Sequence, residues 1–174
     1  VGRMKGWMVR RNAKLIDLHQ RAGGLILYAD GMCEPNPGCG GWGVVAFRNG
    51  EEISYMYGGA LEATNNAMEL TSVIRALEWL VVRREREAAT IYSDSRYVTD
   101  GFNKWRHGWK RNGWLRGGPN AAPHNREIKN LELWKRLDTL SLQVPVKIAW
   151  VKGHIGIPGN ERADALASEG RGAA

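Results

Sequence analysis

Cysteine is scarce: Cys33 and Cys39 are the only two in 174 residues. Without a secretory signal, two thiols in a chain of this size read as reduced groups rather than as a disulfide framework. They have no metal-ligand spacing and no nearby histidine pair, which sets a zinc site aside. No apolar run approaches the length of a membrane span. The start is basic but lacks the apolar stretch of a secretory signal. Residues 1–24 also hold no serine, which argues against an organellar transit peptide. A cytoplasmic protein without membrane contact is expected.

Acidic residues are scarce in one place where cations gather and absent from another. Residues 1–24 carry Arg3, Lys5, Arg10, Arg11, Lys14 and Arg21 against Asp17 alone, a net of +5 out of the chain's +7. Residues 101–125 carry Lys104, Arg106, Lys110, Arg111 and Arg116 and no acid. Two basic patches on a nearly neutral body suggest an anionic partner, nucleic acid ahead of membrane, although solvated charged faces would look the same.

What is present divides into an extension and one domain. Gly23-Gly24 separates residues 1–24, read as a flexible basic extension, from a body at 25–170 and a short tail at 171–174. Strands are expected at 25–33, 42–48 and 52–57, the last two joined at Asn49-Gly50 by a primed turn. Asn65 or Asn66 would cap a helix reaching about Arg84, with Leu70, Val73, Ile74, Leu77 and Leu80 at a 3.6 period. A β-branched strand at 90–92 and a short helix from Ser95 come next. A loop at 117–123, a helix at 125–140, a strand at 146–151 and a helix at 160–169 complete the chain. The order implies an α/β fold on a mixed sheet, antiparallel hairpins first and helical crossovers after.

Two of these strands run into the same tripeptide pattern, Tyr28-Ala29-Asp30 and Tyr92-Ser93-Asp94. An Asp ending a strand often serves only as a turn former or helix cap. Two in matching context, on parallel neighbours, would meet at the carboxyl edge of a sheet, where open α/β folds bind ligands. Glu69 lies beside the apolar stripe of the long helix and should point at the sheet. Three inward carboxylates need a counter-charge, and their own motifs hold no Lys or Arg. A divalent cation with hard oxygen ligands, magnesium or manganese, answers that need. Asp164, on the small-residue side of the last helix, reads either as a fourth ligand or as a first-turn acid. His154 sits in a glycine-flanked loop, as a solvated residue or as a mobile proton shuttle.

Residues 38–43 match G-x-G-x-x-G, but a strand follows where a dinucleotide site needs a helix. The glycines are therefore expected to let a ligand's backbone come close. Trp105, Trp109 and Trp114 interleave with Lys110, Arg111 and other cations. This pattern suits stacking on bases and neutralising phosphates, or a Trp-anchored helix contact.

Asp30-Gly31, Asn36-Pro37-Gly38, Thr64-Asn65-Asn66 with Glu69-Leu70, Asp94-Ser95, Val151-Lys152-Gly153-His154 and Asn160-Glu161-Arg162 with Asp164 occur in one order. Over residues 25–170 the chain resembles type 1 ribonuclease H, the bacterial style of that enzyme. The resemblance implies a five-stranded mixed sheet, three antiparallel strands and then parallel ones, with helices on both faces. It implies endonucleolytic hydrolysis of the RNA strand of RNA/DNA hybrids, with two Mg2+ ions (Mn2+ as a substitute), by a monomer. Asp30, Glu69, Asp94 and Asp164 match the metal-binding carboxylates, and His154 the loop histidine tied to proton transfer and product release. Gly31, Cys33, Asn36, Thr64, Asn65 and Asn66 fall where the hybrid backbone and the 2′-hydroxyl are read. The stretch 105–114 resembles the basic handle that grips the hybrid. Met32, Ala29 and Arg96 depart from the usual Ser, Thr and Gln. Two alternatives stay open: a non-catalytic hybrid-binding module, and a related nuclease of the integrase or junction-resolvase type.

Overall fold

The computed structural model describes residues 24–117 and 120–174. The extension expected at 1–24 therefore lies, but for Gly24, outside the described residues. Five strands, β1 Leu25–Cys33, β2 Gly38–Arg48, β3 Glu51–Ala63, β4 Ala89–Ser93 and β5 Val146–Trp150, form one sheet in the order β3-β2-β1-β4-β5. β1, β2 and β3 pair antiparallel, while β4 runs parallel to both β1 and β5. This is the expected mixed sheet.

Alternation along β1 builds a core on each face of the sheet. Leu25, Leu27 and Ala29 face helix α1 (Asn65–Val82) and join Leu70, Val73, Leu77 and, from helix α4 (Leu131–Ser141), Trp134 and Leu137. Tyr28 faces the opposite side with Val45, Val151, Ala163 and Leu166, the last two from helix α5 (Pro158–Gly172). Helices thus cover both faces, and Asp30, two residues beyond Tyr28, belongs to the α5 side.

Boundaries differ from the sequence reading where backbone pairing, rather than side-chain pattern, decides them. β2 begins at Gly38 and β3 continues to Ala63, because glycines that signal no strand still pair: Gly41 lies opposite Gly59, and Gly40 opposite Ala60. The cap of α1 is Thr64, whose Oγ1 accepts from the Ala67 amide at 3.2 Å, and not Asn65 or Asn66. The short helix α2 (Arg96–Asp100) runs on through a wider π turn (Gly101–Trp105) into a further helix, α3 (Arg106–Arg111). A side chain at Gly101 would strike the Trp134 ring. α4 starts later than expected, because Asn130 takes a left-handed conformation, φ 58°, just before it. α5 starts earlier, with Pro158 in its first turn, where a missing N–H costs nothing.

Candidate active site

Tyr28 and Tyr92 are register partners in the parallel β1–β4 pair, and their rings stack at 5.4 Å. Both chains continue two residues to a carboxylate, so Asp30 and Asp94 arrive at the same edge of the sheet. Glu69 reaches them from the second turn of α1. That helix can lie so close because a Cβ on Gly31 would sit on the backbone of Met68 and Glu69. One oxygen each from Asp30, Glu69 and Asp94 falls within 4.8 Å of the others.

No cation neutralises this cluster among the described residues. Asp30 and Glu69 are each only 7% exposed. Burial, then the Asp94 charge, then that of Asp164, push the Asp30 carboxyl up to about 7, against the single opposing hydrogen bond from the Gly31 amide at 2.9 Å. Burial, then Asp30 and Asp94, raise Glu69 well above the ordinary carboxylate range. Glu69 Oε2 is buried and has no hydrogen-bond partner. Buried acceptors are normally satisfied. An orphaned carboxylate oxygen beside two more carboxylates is the donor set of a hard divalent cation.

Asp94 is held from three sides. Asn160, 2% exposed, donates Nδ2 to its Oδ2 at 3.1 Å. The Trp150 indole N–H donates to its main-chain carbonyl at 3.0 Å. Gly153 leaves the room its carboxylate occupies, since a Cβ there would strike Asp94 Oδ2. None of the three is evident from sequence alone. A buried helix Asn has the same local pattern as a surface one, and only its position opening α5 beside Asp164 hints at a role.

Asp164 stands close enough for its charge to raise Asp30, yet is partly exposed and outside the tight trio. His154, 80% exposed and at φ 55°, brings Nδ1 to 4.0 Å from Asp164 Oδ2. The structure thus gathers the four expected carboxylates and the histidine at one rim.

The other expected contacts divide. Asn36 Oδ1 accepts from the Asn65 amide at 3.1 Å, and Asn65 Oδ1 accepts from the Cys33 amide at 3.2 Å. These bonds pin the loop after β1 to the start of α1, and Asn66 stays exposed beside them. The Cys33 thiol turns inward among the carbonyls of Pro35, Gly38 and Ala63, at 3.2–3.3 Å, and Gly31 offers backbone only. The glycine run corrects an expectation. What approaches β2 is the backbone of α5, not that of a ligand: a Cβ on Gly41 or Gly43 would meet the carbonyl of Ala167 or Ala163.

The basic segment is partly spent on itself. Trp109 packs on Trp134 at 5.4 Å and Trp105 on Trp109 at 6.0 Å; Trp114 also packs against the core. Trp105, 42% exposed, lines an open groove of about 560 Å³ with Tyr97, Lys104, Arg111 and Arg116. Lys110 was expected to face a ligand, yet its Nζ lies 2.7 Å from the buried Asp138, which also takes Arg106. Lys110 and Arg111 therefore separate. Lys110→Ala should cost about 1–2 kcal/mol of stability by half-stripping Asp138. Arg111→Ala should leave the melting temperature unchanged and flatten the salt dependence of polyanion binding by about 0.9 in log–log slope. Thermal melts and salt titrations of the two variants would check this.

The family model for RNase H matches residues 22–172. A Ribonuclease H of Neisseria meningitidis serogroup C is 49% identical over 146 residues, 84% of this chain and 94% of that protein. A Ribonuclease H of Methylobacillus flagellatus is 49% identical over 144 residues, 83% of this chain and 89% of that protein. Among solved structures, LC9-RNase H1, described as a type 1 RNase H with the type 2 active-site motif, superposes with a TM-score of 0.70 at 30% identity. It covers 86% of this chain and 73% of its own. The LC11-RNase H1 complex with an RNA/DNA hybrid, at 22% identity and a TM-score of 0.63, shares the fold, covering 83% of this chain and 94% of its own.

Proposed function

The chain belongs to the RNase H family, and on that premise we propose that it hydrolyses the RNA strand of RNA/DNA hybrids internally, leaving 5′-phosphate and 3′-hydroxyl ends. The observation that carries the reading is the convergence of Asp30, Glu69 and Asp94 within 4.8 Å around an orphaned, buried oxygen. A module that only bound the hybrid would need cations there, not clustered acids. The catalytic domain is residues 25–170, with the basic residues 1–24 as an extension. No helix of the described residues is long and apolar enough to cross a membrane. A cytoplasmic monomer is our reading.

Asp30, Glu69, Asp94 and Asp164 would hold the divalent cations, magnesium with manganese as a substitute. When bound, such ions supply Lewis acidity to the attacking water and the scissile phosphate. The chain's own residues do the rest. Asn160 and Trp150 fix the Asp94 side chain and main chain, so the carboxylate does not swing towards solvent. His154, exposed beside Asp164, moves a proton at the leaving oxygen and then releases the product. Backbone near Gly31 and Cys33, with Asn36, Thr64, Asn65 and Asn66, lies along the rim where the 2′-hydroxyl would be read, the group that distinguishes RNA from DNA.

The test presents one end-labelled strand as RNA/DNA, RNA/RNA, DNA/DNA and single-stranded RNA, with magnesium and with chelator. Metal-dependent loss of RNA from the hybrid alone is expected. Equal cleavage of duplex DNA would move the chain to a resolvase-like activity, and binding without cleavage would make it a hybrid-binding module.

A further inference from the structure

We propose, on the RNase H reading above, that Arg106 is a positioning residue for hybrid binding: it holds the π turn Gly101–Trp105 that keeps Trp105 out on the groove. Val98 and Phe102 are buried four residues apart. An uninterrupted α-helix would carry that buried stripe on to Trp105 and Trp109. The π turn adds a residue to one turn and so moves each later side chain about 100° round the axis. Arg106 thereby takes the inward place, its side chain 13% exposed, while Trp105 is left 42% exposed, lining the groove.

A π turn needs something to hold it, because it breaks the regular ladder of a helix. The Arg106 amide reaches back five residues to the Gly101 carbonyl. The Phe102 carbonyl, which an α-helix would pair with that amide, instead accepts from Arg106 Nε at 2.7 Å. The same guanidinium lies 3.8 Å from the centroid of the Phe102 ring. Its Nη1 donates to the buried Asp138 of α4 and, at 3.4 Å, to Ser141 Oγ. A second side chain ties the turn to the sheet: Asn103 Nδ2 donates to the carbonyls of Thr99 and of Ile148 in β5, each at 2.9 Å. Lysine has no counterpart of Nε to offer Phe102 while its ammonium meets Asp138. Without that donor, the Phe102 carbonyl regains a main-chain partner when the helix re-forms its ordinary turn, which swings Trp105 off the groove. The charge of Arg106 is spent on Asp138, so it acts on the hybrid through Trp105 and not by touching a phosphate.

The experiment measures amide hydrogen exchange over residues 101–106, and binding of a defined RNA/DNA hybrid in chelator across a salt series, on the full chain. Wild type is compared with Trp105→Ala and with Arg106→Met and Arg106→Lys, each alone and combined with Trp105→Ala. Exchange over 101–106 should quicken at least about ten-fold in Arg106→Met. Hybrid affinity should fall about ten-fold, the effect of losing one stacking aromatic, with the log–log salt slope as in wild type. Arg106→Lys should show the same losses in smaller measure. Trp105→Ala should lose as much affinity as Arg106→Met, and the double variant no more than either. In cleavage with magnesium, KM should rise for Arg106→Met while kcat holds. Losses that add in the double variant overturn the proposal, since Arg106 would then act without Trp105. So does unchanged affinity in Arg106→Met, and so does a slope lower by about 0.9, the sign of a direct phosphate contact. If Arg106→Met fails to fold, Arg106→Lys, alone and with Trp105→Ala, decides by the same criteria. If wild type binds the hybrid but never cleaves it, the RNase H reading fails, while the affinities still decide the role of Arg106.

Discussion

Asp94→Asn should abolish hybrid cleavage while leaving hybrid binding within about three-fold of wild type, a loss of at least roughly a thousand-fold in single-turnover rate. The substitution keeps the size of the side chain and one acceptor, so Asn160 can still donate to it from the buried position it holds at 3.1 Å. The other terminal atom then becomes an NH2 that points donors at Asp30 and Glu69, where a cation would have to sit. Those carboxylates gain a hydrogen-bond donor and lose a metal ligand. Binding is spared because the sites expected to grip the hybrid, at Trp105 and Arg111 and along the rim at Asn36, are untouched. Single-turnover cleavage and filter binding on the same preparation would check this. Cleavage at the wild-type rate would remove Asp94 from the metal site.

The second large effect is on stability. A carboxyl whose folded pKa lies above its unfolded value stabilises the protein while protonated. For Asp30 that contribution is complete below its ordinary value, 3.8, and is lost as pH rises through about 7. At pH 8 the metal-free protein therefore carries ionised Asp30 as a burden of about 4 kcal/mol. Asp30→Asn should melt roughly 10 °C higher than wild type at pH 8 without divalent ions, and no higher at pH 4. Magnesium should narrow that gap at pH 8 as its concentration rises, since binding to the folded state alone stabilises wild type by mass action. Calorimetry of both proteins at both pH values, with chelator and with magnesium, gives the comparison. Equal melting temperatures at pH 8 in chelator would mean that Asp30 is not burdened by its neighbours.

The site was legible where its geometry follows from strand and helix period. Asp30 and Asp94 could be placed together because β1 and β4 are apolar strands of matching ending. Glu69 could be turned inward because α1 keeps a clean 3.6 repeat. What stayed hidden depends on partners far along the chain. Lys110 looks like a free cation until Asp138 comes alongside it. Asn160 looks like a helix-start residue until the fold buries it against Asp94. The helical run through α2 and α3 was obscured by Gly101 and Gly108, residues that argue against a helix locally. Gly101 is there because Trp134 fills the space a side chain would take. The glycines of β2 misled in the same way. Their bareness signals that something comes close, but not what.

That last feature bears on how such a chain can change by descent. Gly41, Gly43 and Gly59 let α5 settle on the hairpin, and Gly170 lets the hairpin reach α5 in return. Asp164 rides on that helix, while Asp30 and Asp94 are anchored in the sheet. A single methyl at the seam would lift one carboxylate away from the others with no substrate-facing residue altered. The hairpin and the last helix must therefore be inherited as a matched set. A recombinant that takes residues 38–63 from one relative and 158–172 from a divergent one, each functional at home, is expected to fold around the sheet and α1 yet misplace its fourth carboxylate.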